Sequence, residues 1–291
     1  MMFSDTYRQY LDVFHEALNR FVQNLSCEPP VLKDSMTYSL QLGGKRFRPV
    51  LMLAVADLLG VPQKEIVPFA LALELVHTYT LIHDDLPAMD NDDFRRGKPS
   101  NHKVFGEGNA VLAGDALLNT AYEVLLKECL LGKNQVQATR YFALCAGING
   151  VIGGQSADLL FSAKEDFSEE DLLFIYENKT AKLIKAATVI PAILHGGKYM
   201  IEFENFGGLL GNLFQLTDDI LDEESTFETL GKSVGKDKEQ DKLTAVKLYG
   251  LSGCKVRAEL MVSECDQLLE GLPFDTSFLH ALVDFVKDRK K

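Results

Sequence analysis

The sequence predicts an all-α protein of about ten helices. Apolar residues recur at intervals of three and four along most of the chain, which is the period of a helix packed on a core. No segment has the alternation of apolar and polar residues that indicates a half-buried strand. The 291 residues contain no fixed-period repeat, low-complexity segment or clear linker, so we expect a single domain over residues 1–291.

The first four helices precede the main functional signals. Residues 3–25 have a helical apolar period, and a second short pattern follows the proline pair at 29–30 and ends at the glycine pair 43–44. A third apolar segment comes next. Pro62 and Pro68 bracket the start of a fourth helix, since proline is tolerated in a first helical turn but not in an interior.

Helices also account for the remainder of the chain. Two long apolar-periodic segments are expected over about 109–131 and 135–161. The second is rich in glycine, which we interpret as helix packing because the phosphate-loop patterns GxxxxGK(S/T) and GxGxxG are absent. A capping-box pattern begins a helix over 168–195, and a further helix is expected over 200–224. A charged loop and two helices complete the chain.

Composition and charge favour a cytoplasmic protein without nucleic-acid partners. The formal net charge of −12 argues against nucleic acid, because phosphate backbones require clustered lysine and arginine. The five cysteines have no CxxC or metal-ligand spacing, which favours free thiols in a reducing compartment. The first residues are unlike a signal or transit peptide, and Glu74 and His77 interrupt the richest apolar run. We therefore expect no membrane span.

The second of two acidic clusters lies in the apolar segment 200–224. Asp218 and Asp222 are four residues apart, so their carboxylates share one face of a helix. Like charges at this spacing repel each other, and a divalent cation between them would make the arrangement favourable. A solvated helix face is the alternative interpretation.

The first acidic cluster has a different spacing. Asp84 and Asp90 are six residues apart, which would place them on different sides of an uninterrupted helix. Pro87 lies between them, so we expect the chain to turn after Asp85 and to bring Asp90 back. His77 precedes Asp84 by two helical turns and shares roughly its face, although a buried core histidine is the alternative. Two clusters of hard oxygen ligands suit Mg²⁺ rather than zinc.

Basic residues near these clusters could contact phosphate groups. Lys45, Arg46 and Arg48 follow the glycine pair, where backbone and side-chain donors could surround a diphosphate. Arg95 and Arg96 follow the first acidic cluster directly, and arginine suits bidentate phosphate contacts. Each of these short strings alone is more often a solvated loop.

Together the strings resemble the trans-isoprenyl diphosphate synthases, in particular the bacterial (type II) farnesyl diphosphate synthases. In family order they are GGKRFRP (43–49), HTYTLIHDDLPAMDNDDFRRG (77–97), GGQSADL (153–159), KTAKL (179–183), FQLTDDILD (214–222) and GKSVGKD (231–237). The resemblance implies the isoprenoid synthase fold, an all-α bundle around a deep central catalytic cavity, and a homodimer. The chain departs from the family pattern at Ala181, where glycine is usual, and at Ala245, where tyrosine is common.

The resemblance also implies roles for individual residues. Three Mg²⁺ ions, for which Mn²⁺ can substitute, would be held by Asp84, Asp85, Asp90, Asp218, Asp219 and Asp222. The allylic diphosphate and its reacting carbon would meet the catalytic residues Arg95, Lys179, Thr180, Gln215 and Lys232. Thr180 and Gln215 would point oxygen dipoles at that carbon. Isopentenyl diphosphate would bind to Lys45, Arg48, His77 and Arg96.

The implied reaction is a head-to-tail condensation of isopentenyl diphosphate with dimethylallyl or geranyl diphosphate to (2E,6E)-farnesyl diphosphate, by ionisation, condensation and elimination. Tyr79, five residues before Asp84, lies about 7.5 Å away along the helix axis. With Thr80 beside it, its ring would form the floor of the pocket and limit the product to farnesyl length. A geranylgeranyl or geranyl diphosphate synthase of the same family is the alternative. A class I terpene cyclase and a non-catalytic partner subunit are more remote.

Overall fold

The computed structural model describes residues 2–162, 167–224 and 243–289, and within these ranges it confirms the all-α fold. In chain order the helices are α1 (Phe3–Asn24), α2 (Pro30–Gln41), α3 (Phe47–Leu58), α4 (Gln63–Asp84), α5 (Asn101–Phe105), α6 (Glu107–Glu128), α7 (Lys133–Ala146), α8 (Val151–Ser162), α9 (Glu169–Ile175), α10 (Lys182–Leu194), α11 (Met200–Glu224), α12 (Ala245–Glu270) and α13 (Ser277–Lys287). A 3₁₀ turn, Cys129–Leu131, follows α6, and a π turn, Tyr176–Ala181, joins α9 to α10.

One predicted helix is broken in two. The segment that the sequence predicts as one helix over 135–161 forms α7 and α8, and a turn at 147–150 separates them. A Cβ atom on Gly150 would lie 2.0 Å from the carbonyl oxygen of Cys145, so this turn requires glycine. The glycines of this segment therefore break the helix as well as allowing close packing.

A short β-hairpin follows the first acidic cluster, where the sequence predicts no strand. Its strands are β1 (Phe94–Arg95) and β2 (Lys98–Pro99), which pair antiparallel. The turn residues Arg96 and Gly97 both have positive φ, as in a type I′ hairpin turn. Arginine is uncommon in this conformation, so the sequence has no clear turn signal here.

The helix predicted from Ser168 begins there with a capping box. The backbone N–H of Asp171 donates to Oγ of Ser168 (3.2 Å), and the backbone N–H of Ser168 donates to Oδ2 of Asp171 (3.0 Å). Helical structure continues to Leu194 as predicted, but it passes through the π turn. A π turn occurs often at functional sites, so this segment is a candidate for one.

Helices α4 and α10 lie at the centre of the fold. α4 packs against α3 and α6, and α10 packs against α3, α7 and α11. Both have buried residues around most of their circumference, as expected for helices surrounded by protein. In the described ranges α4 is also the one helix long and apolar enough to span a membrane, but 67% of its most apolar window is buried in the fold. Its central position therefore accounts for its composition.

The first and last described helices pack together beside the basic segment 43–49. Phe3 of α1 stacks on Phe278 of α13, with 5.3 Å between ring centroids. The hydroxyl of Tyr7 donates to the backbone oxygen of Lys45 (2.6 Å). α1 and α13 therefore support the segment that is expected to bind a diphosphate.

Candidate active site

Helices α4, α8 and α11, the π turn and the loop after α4 line a cavity of about 580 Å³. Much of its wall is apolar and consists of Leu81, Met89, Val151, Ile152, Leu159, Leu183 and Phe214. The predicted site residues that also line it are Arg48, His77, Tyr79, Thr80, Asp84, Arg95, Arg96, Lys179, Thr180, Gln215 and Asp218. The fold thus brings residues from distant motifs to one cavity.

A second pocket, of about 320 Å³, adjoins the cavity. Arg48, His77 and Arg96 line both spaces. Lys45 and Arg289 line the second pocket. Two anions could therefore lie next to each other on the two sides of a shared basic wall.

The loop after α4 brings Asp90 back to Asp84, as the position of Pro87 predicts. The backbone N–H of Asp90 donates to the carbonyl oxygen of Asp84 (2.8 Å). Burial raises the pKa of the Asp84 carboxyl to about 6; Lys179 opposes this shift and Asp90 reinforces it. Asp84 at the cavity wall and Asp90 behind it are therefore neighbouring like charges, and a cation would stabilise them.

Asp85 pairs with Arg95 instead of lining the cavity. Its carboxylate accepts hydrogen bonds from Nε of Arg95 (3.0 Å) and from Nη2 of the same side chain. Burial raises the pKa of Asp85, and the charge of Arg95 opposes the shift. Because Arg95 lies on β1 and lines the cavity, this pair fixes one of the cations of the wall.

The three aspartates of the second cluster have different surroundings. Asp218 lines the cavity, and its Oδ1 accepts a hydrogen bond from Nη2 of Arg289 (2.9 Å). Asp219 is only 7% exposed, and its carboxylate accepts three hydrogen bonds from within the fold. Burial raises the pKa of Asp219 to about 7 against the effect of these bonds. Neither Asp219 nor Asp222 lines the cavity, so of these three predicted metal ligands the fold brings Asp218 to it.

The donor set fits a magnesium ion that is shared with a bound diphosphate. In the ranges that the structure describes, no three His, Cys, Asp or Glu side chains form a group that could hold a metal by themselves. Mg²⁺ is commonly bound by one or two carboxylates, and phosphate oxygens and water fill the other positions. Asp84 and Asp218, which line the cavity, match this pattern, and Asp90 lies beside Asp84 without lining the cavity itself. Lys232, predicted at the same diphosphate, lies outside the described residues.

The π turn carries Lys179 and Thr180 to the cavity wall. Gly154 of α8 permits the close approach, because a Cβ atom there would lie 2.2 Å from the backbone nitrogen of Lys179. Nζ of Lys179 donates to Oδ2 of Asp158 (2.6 Å), a partner that the sequence analysis does not assign. Burial lowers the pKa of Lys179, but the charges of Asp84 and Asp158 outweigh burial and raise it overall, so the ammonium group stays charged.

Two polar side chains and an aromatic ring complete the wall. The hydroxyl of Thr180 donates to Oε1 of Gln215 (2.7 Å), so the two residues predicted to face the allylic carbon are adjacent. Tyr79 is buried, and its ring lies edge-on to His83 with 5.7 Å between centroids. Nε2 of His83 is 3.0 Å from the carbonyl oxygen of Val111 on α6. This side of the cavity is therefore closed by the contact between α4 and α6.

Burial and the basic wall together favour the neutral form of His77. Its Nε2 lies 3.5 Å from Nη1 of Arg48. Burial, followed by the charges of Arg48 and Arg96, lowers the pKa of His77 well below its ordinary value. Nε of Arg48 and Nε of Arg289 are buried without a hydrogen-bond partner among the described residues. Buried donors without partners are uncommon, and here they suit an anion bound in the second pocket.

Two further arginines hold the basic segment in place. Arg96 donates to the carbonyl oxygen of Gly43, and a Cβ atom on Gly44 would lie 2.6 Å from its guanidinium carbon. Arg46, which the sequence groups with the diphosphate donors, instead pairs with Glu74, and both side chains are 2% exposed. The expectation for Arg46 is therefore corrected to a core ion pair. The sequence does contain a signal for this pair, namely Glu74 within an apolar helix, because a buried charge requires a partner.

Arg289 is a site residue to which the sequence analysis assigns no role. It follows α13, its guanidinium carbon lies 3.7 Å from the ring centroid of Phe214, and it pairs with Asp218. It belongs to none of the recognised motifs. Its position depends on the packing of α13 against α11, which local sequence does not reveal.

Comparison with known proteins agrees with this arrangement. A polyprenyl synthetase family model matches residues 29–266. The chain is 41% identical to farnesyl diphosphate synthase of Bacillus subtilis (strain 168) over 266 residues, which cover 90% of each protein. It is 40% identical to geranylgeranyl pyrophosphate synthase 4 of Arabidopsis thaliana over 294 residues, covering 99% of this chain and 79% of the relative.

Solved structures resemble the whole chain. Geranyltransferase from Legionella pneumophila has a TM-score of 0.87 and 32% identity, with 99% of this chain and 98% of that chain covered. Geranyltransferase from Helicobacter pylori, complexed with magnesium and isoprenyl diphosphate, has a TM-score of 0.83 and 32% identity, with 97% and 96% covered. With its helical fold, its acid-lined cavity and its adjoining basic pocket, the chain belongs to the polyprenyl synthetase family and is a prenyltransferase.

Proposed function

We propose that the enzyme condenses isopentenyl diphosphate with dimethylallyl and then geranyl diphosphate, and that it releases (2E,6E)-farnesyl diphosphate. The observation that carries this proposal is the pair of adjoining spaces. The cavity combines an apolar wall with Asp84, Asp218 and Lys179, which suits a prenyl chain with a metal-bound diphosphate. The second pocket offers Lys45 and Arg48, which suit a diphosphate bound without metal.

The cations of the cavity would promote ionisation of the allylic substrate. Negative charge accumulates on the leaving diphosphate, so Arg95 and Lys179 would stabilise the transition state more than the bound substrate. Magnesium held by Asp84, Asp90 and Asp218 together with the diphosphate oxygens would supply Lewis-acid stabilisation of the same charge.

The remaining wall would protect the cation and orient its partner. Apolar side chains exclude water, which would otherwise capture the carbocation. Thr180 and Gln215 would direct oxygen atoms toward the electron-poor carbon. Arg48, Arg96 and the neutral His77 would hold the isopentenyl diphosphate so that its double bond attacks that carbon across the shared wall. Transfer of a proton from the condensed cation to the departed diphosphate would then form the double bond of the new allylic product.

Product length is assigned to Tyr79. Its buried ring on α4 is backed by His83, and a Cβ atom on Gly114 of α6 would lie 2.1 Å from Nε2 of His83, so this layer is tightly packed. Tyr79→Ala should open the floor and shift the product toward geranylgeranyl diphosphate, as chromatography of labelled products would detect. Tyr79→Phe keeps the ring and should keep the wild-type spectrum. An unchanged spectrum in Tyr79→Ala would contradict the floor assignment.

Geranylgeranyl diphosphate synthase is the second candidate. The observation in its favour is that several relatives with 40–44% identity, from Arabidopsis thaliana and Capsicum annuum, carry that name. The tightly packed Tyr79 layer favours the farnesyl product instead.

The proposed function is tested by incubating the purified protein with Mg²⁺, labelled isopentenyl diphosphate and each allylic primer in turn. We expect incorporation with dimethylallyl and geranyl diphosphate, a farnesyl product, and no incorporation when the metal is chelated. If no primer leads to incorporation of label, the proposal that the enzyme condenses these substrates is overturned. Efficient extension of farnesyl diphosphate would instead identify a geranylgeranyl synthase.

We also propose that the chain forms a single domain and that two copies assemble into a homodimer. We further propose that the protein acts in the cytoplasm and does not bind nucleic acid. Exposed apolar residues at the end of α6 and just after it support a self-association surface; they are Leu126, Leu130 and Leu131. The five free cysteines support a reducing compartment. Light scattering coupled to gel filtration would test the dimer.

A further inference from the structure

The carboxylate of Asp219 joins three elements of the fold. Its Oδ2 accepts hydrogen bonds from the hydroxyl of Tyr176 in the π turn (2.6 Å) and from the backbone N–H of Ala245 at the start of α12 (2.7 Å). Its Oδ1 accepts from Nε2 of Gln215, one turn earlier on α11 (3.1 Å). Asp218, the adjacent residue, lines the cavity, whereas Asp219 is directed into the fold.

These contacts fix the orientation of the Gln215 amide. A carboxylate oxygen accepts hydrogen bonds, and each of the three partners donates one to Asp219. Gln215 must therefore present its NH₂ group to Asp219 and its carbonyl Oε1 to the opposite side. There Oε1 accepts the hydroxyl proton of Thr180 (2.7 Å).

The same constraint reaches the cavity through Thr180. A hydroxyl has one proton and two lone pairs. Thr180 donates its proton to Gln215. Its oxygen can therefore offer only a lone pair to the cavity, which Thr180 lines. The hydrogen bonds from Thr180 to Gln215 and from Gln215 to Asp219 therefore both point the same way. The acceptor at the buried end, Asp219, determines this direction.

We propose that Asp219 is a positioning residue that sets this direction and thereby makes Thr180 present an oxygen lone pair, rather than a hydroxyl proton, to the allylic cation. The inference rests on the proposed function, because it requires a cation in the cavity. It assigns Asp219 a task different from metal binding, although Asp219 lies beside the proposed metal ligand Asp218. A lone pair attracts positive charge and an O–H dipole repels it, so reversal of the chain would slow ionisation.

Asp219→Asn is the direct test, since it changes little besides the donor pattern. The backbone N–H of Ala245 still requires an acceptor, so the amide oxygen should remain there and the new NH₂ group should face Gln215. Gln215 would then turn its own NH₂ group toward Thr180, and the hydroxyl proton would be released toward the cavity. We expect kcat to fall by about 10–100-fold, with KM for both substrates within about threefold.

A double-mutant cycle separates this role from a structural one. Thr180→Val removes the hydroxyl, so Asp219→Asn added to Thr180→Val should cause no further loss of kcat. A further loss equal to that of the single variant would overturn the proposal. Asp12→Asn, an exposed aspartate of α1, controls for the change of net charge and should have wild-type kcat.

A second experiment distinguishes the positioning role of Asp219 from a role as a metal ligand. It measures the binding of Mg²⁺ together with inorganic diphosphate by calorimetry. Asp219→Asn should bind within about twofold of the wild-type affinity, whereas Asp218→Asn should bind much more weakly. Equal weakening in both variants would overturn the inference. If wild-type protein does not incorporate isopentenyl diphosphate, the proposed function fails. If the wild type is active and Asp219→Asn keeps full kcat, the inference alone fails.

Discussion

The two acidic motifs follow the same rule within each Asp-Asp pair. Asp84 at the end of α4 and Asp218 on α11 line the cavity. Asp85 and Asp219, the residues that follow them, are buried and accept hydrogen bonds from the protein. Successive residues on a helix point about 100° apart, so one member of each pair faces the ligand while the other anchors the motif.

The anchors differ in range, and this difference is informative. Asp85 pairs with Arg95, ten residues later, so the first motif is held by a local ion pair. Asp219 depends on Tyr176 and Ala245, which are 43 and 26 residues away. The first motif is therefore a nearly self-contained loop, and the second takes its geometry from the packing of several helices.

The largest effect is expected at the two cavity-facing residues. Asp84→Asn and Asp218→Asn should each lower kcat by about 10²–10³-fold, because each removes a charge from the proposed metal site. Initial rates at saturating substrate would measure this, and circular dichroism should remain that of the wild type. If either variant unfolds while its folded fraction keeps wild-type kinetics, that aspartate is a structural anchor and not a metal ligand, and the comparison drawn above is wrong.

Asp85→Ala should mainly destabilise the fold. It leaves the guanidinium of Arg95 without its buried partner, so the free energy of unfolding should fall by about 3–5 kcal/mol. Asp93→Ala is the control; its ion pair with Lys103 has side chains 54% and 45% exposed, so it should cost less than about 1 kcal/mol. Urea unfolding measures both, and equal losses would argue against a buried anchor at Asp85.

Gly211→Ala tests the packing that holds the second motif. A Cβ atom at Gly211 would lie 2.5 Å from the Cα of Ala181, a backbone atom that cannot move aside easily. Overpacking should lower the free energy of unfolding by about 1–3 kcal/mol, and it should also displace Gln215 one turn later. Gly108→Ala on α6 meets no atom within 4 Å and should be neutral or stabilising by up to about 1 kcal/mol. A neutral Gly211→Ala would show that the second motif tolerates helix shifts.

The smallest effect is expected from pH. His77 lies on the helix of the first motif, and α11 contains no histidine, so the contribution of this imidazole belongs to the first motif. The pKa of His77 is lowered in the fold, so below the ordinary value of about 6.5 the unfolded chain takes up the proton first and stability is lost as pH falls. His77→Gln should therefore lose less stability than wild type between neutral and mildly acidic pH in urea unfolding. Parallel curves would contradict a neutral, buried His77.

Sequence reasoning succeeds where the determinants are local. Pro87 alone predicts the return of Asp90, and Ser168 with Asp171 predicts a helix start, because each acts within a few residues. Periodicity also places Asp218 on a helix with apolar neighbours. It identifies a face, however, and not the partner on it, so neither Tyr176 nor Ala245 could be assigned to Asp219 in advance.

Other features were beyond the patterns used. The hairpin turn at Arg96 uses an arginine in a conformation that usually signals glycine or asparagine. The break between α7 and α8 depends on a clash at Gly150 that appears only when neighbouring backbone is built. The role of Arg289 depends on how α13 packs, which is set by the whole core.

The π turn at Tyr176–Ala181 has a consequence for helical phase. It holds one residue more than an α-helical turn, so α10 is rotated by about 100° relative to a regular continuation of α9. The inserted residue lets α10 bury an apolar surface in the core while Lys179 and Thr180 face the cavity. Deleting a single residue from this turn would restore a regular α-helix. Then either α10 would bury its apolar surface or Lys179 and Thr180 would face the cavity, but not both.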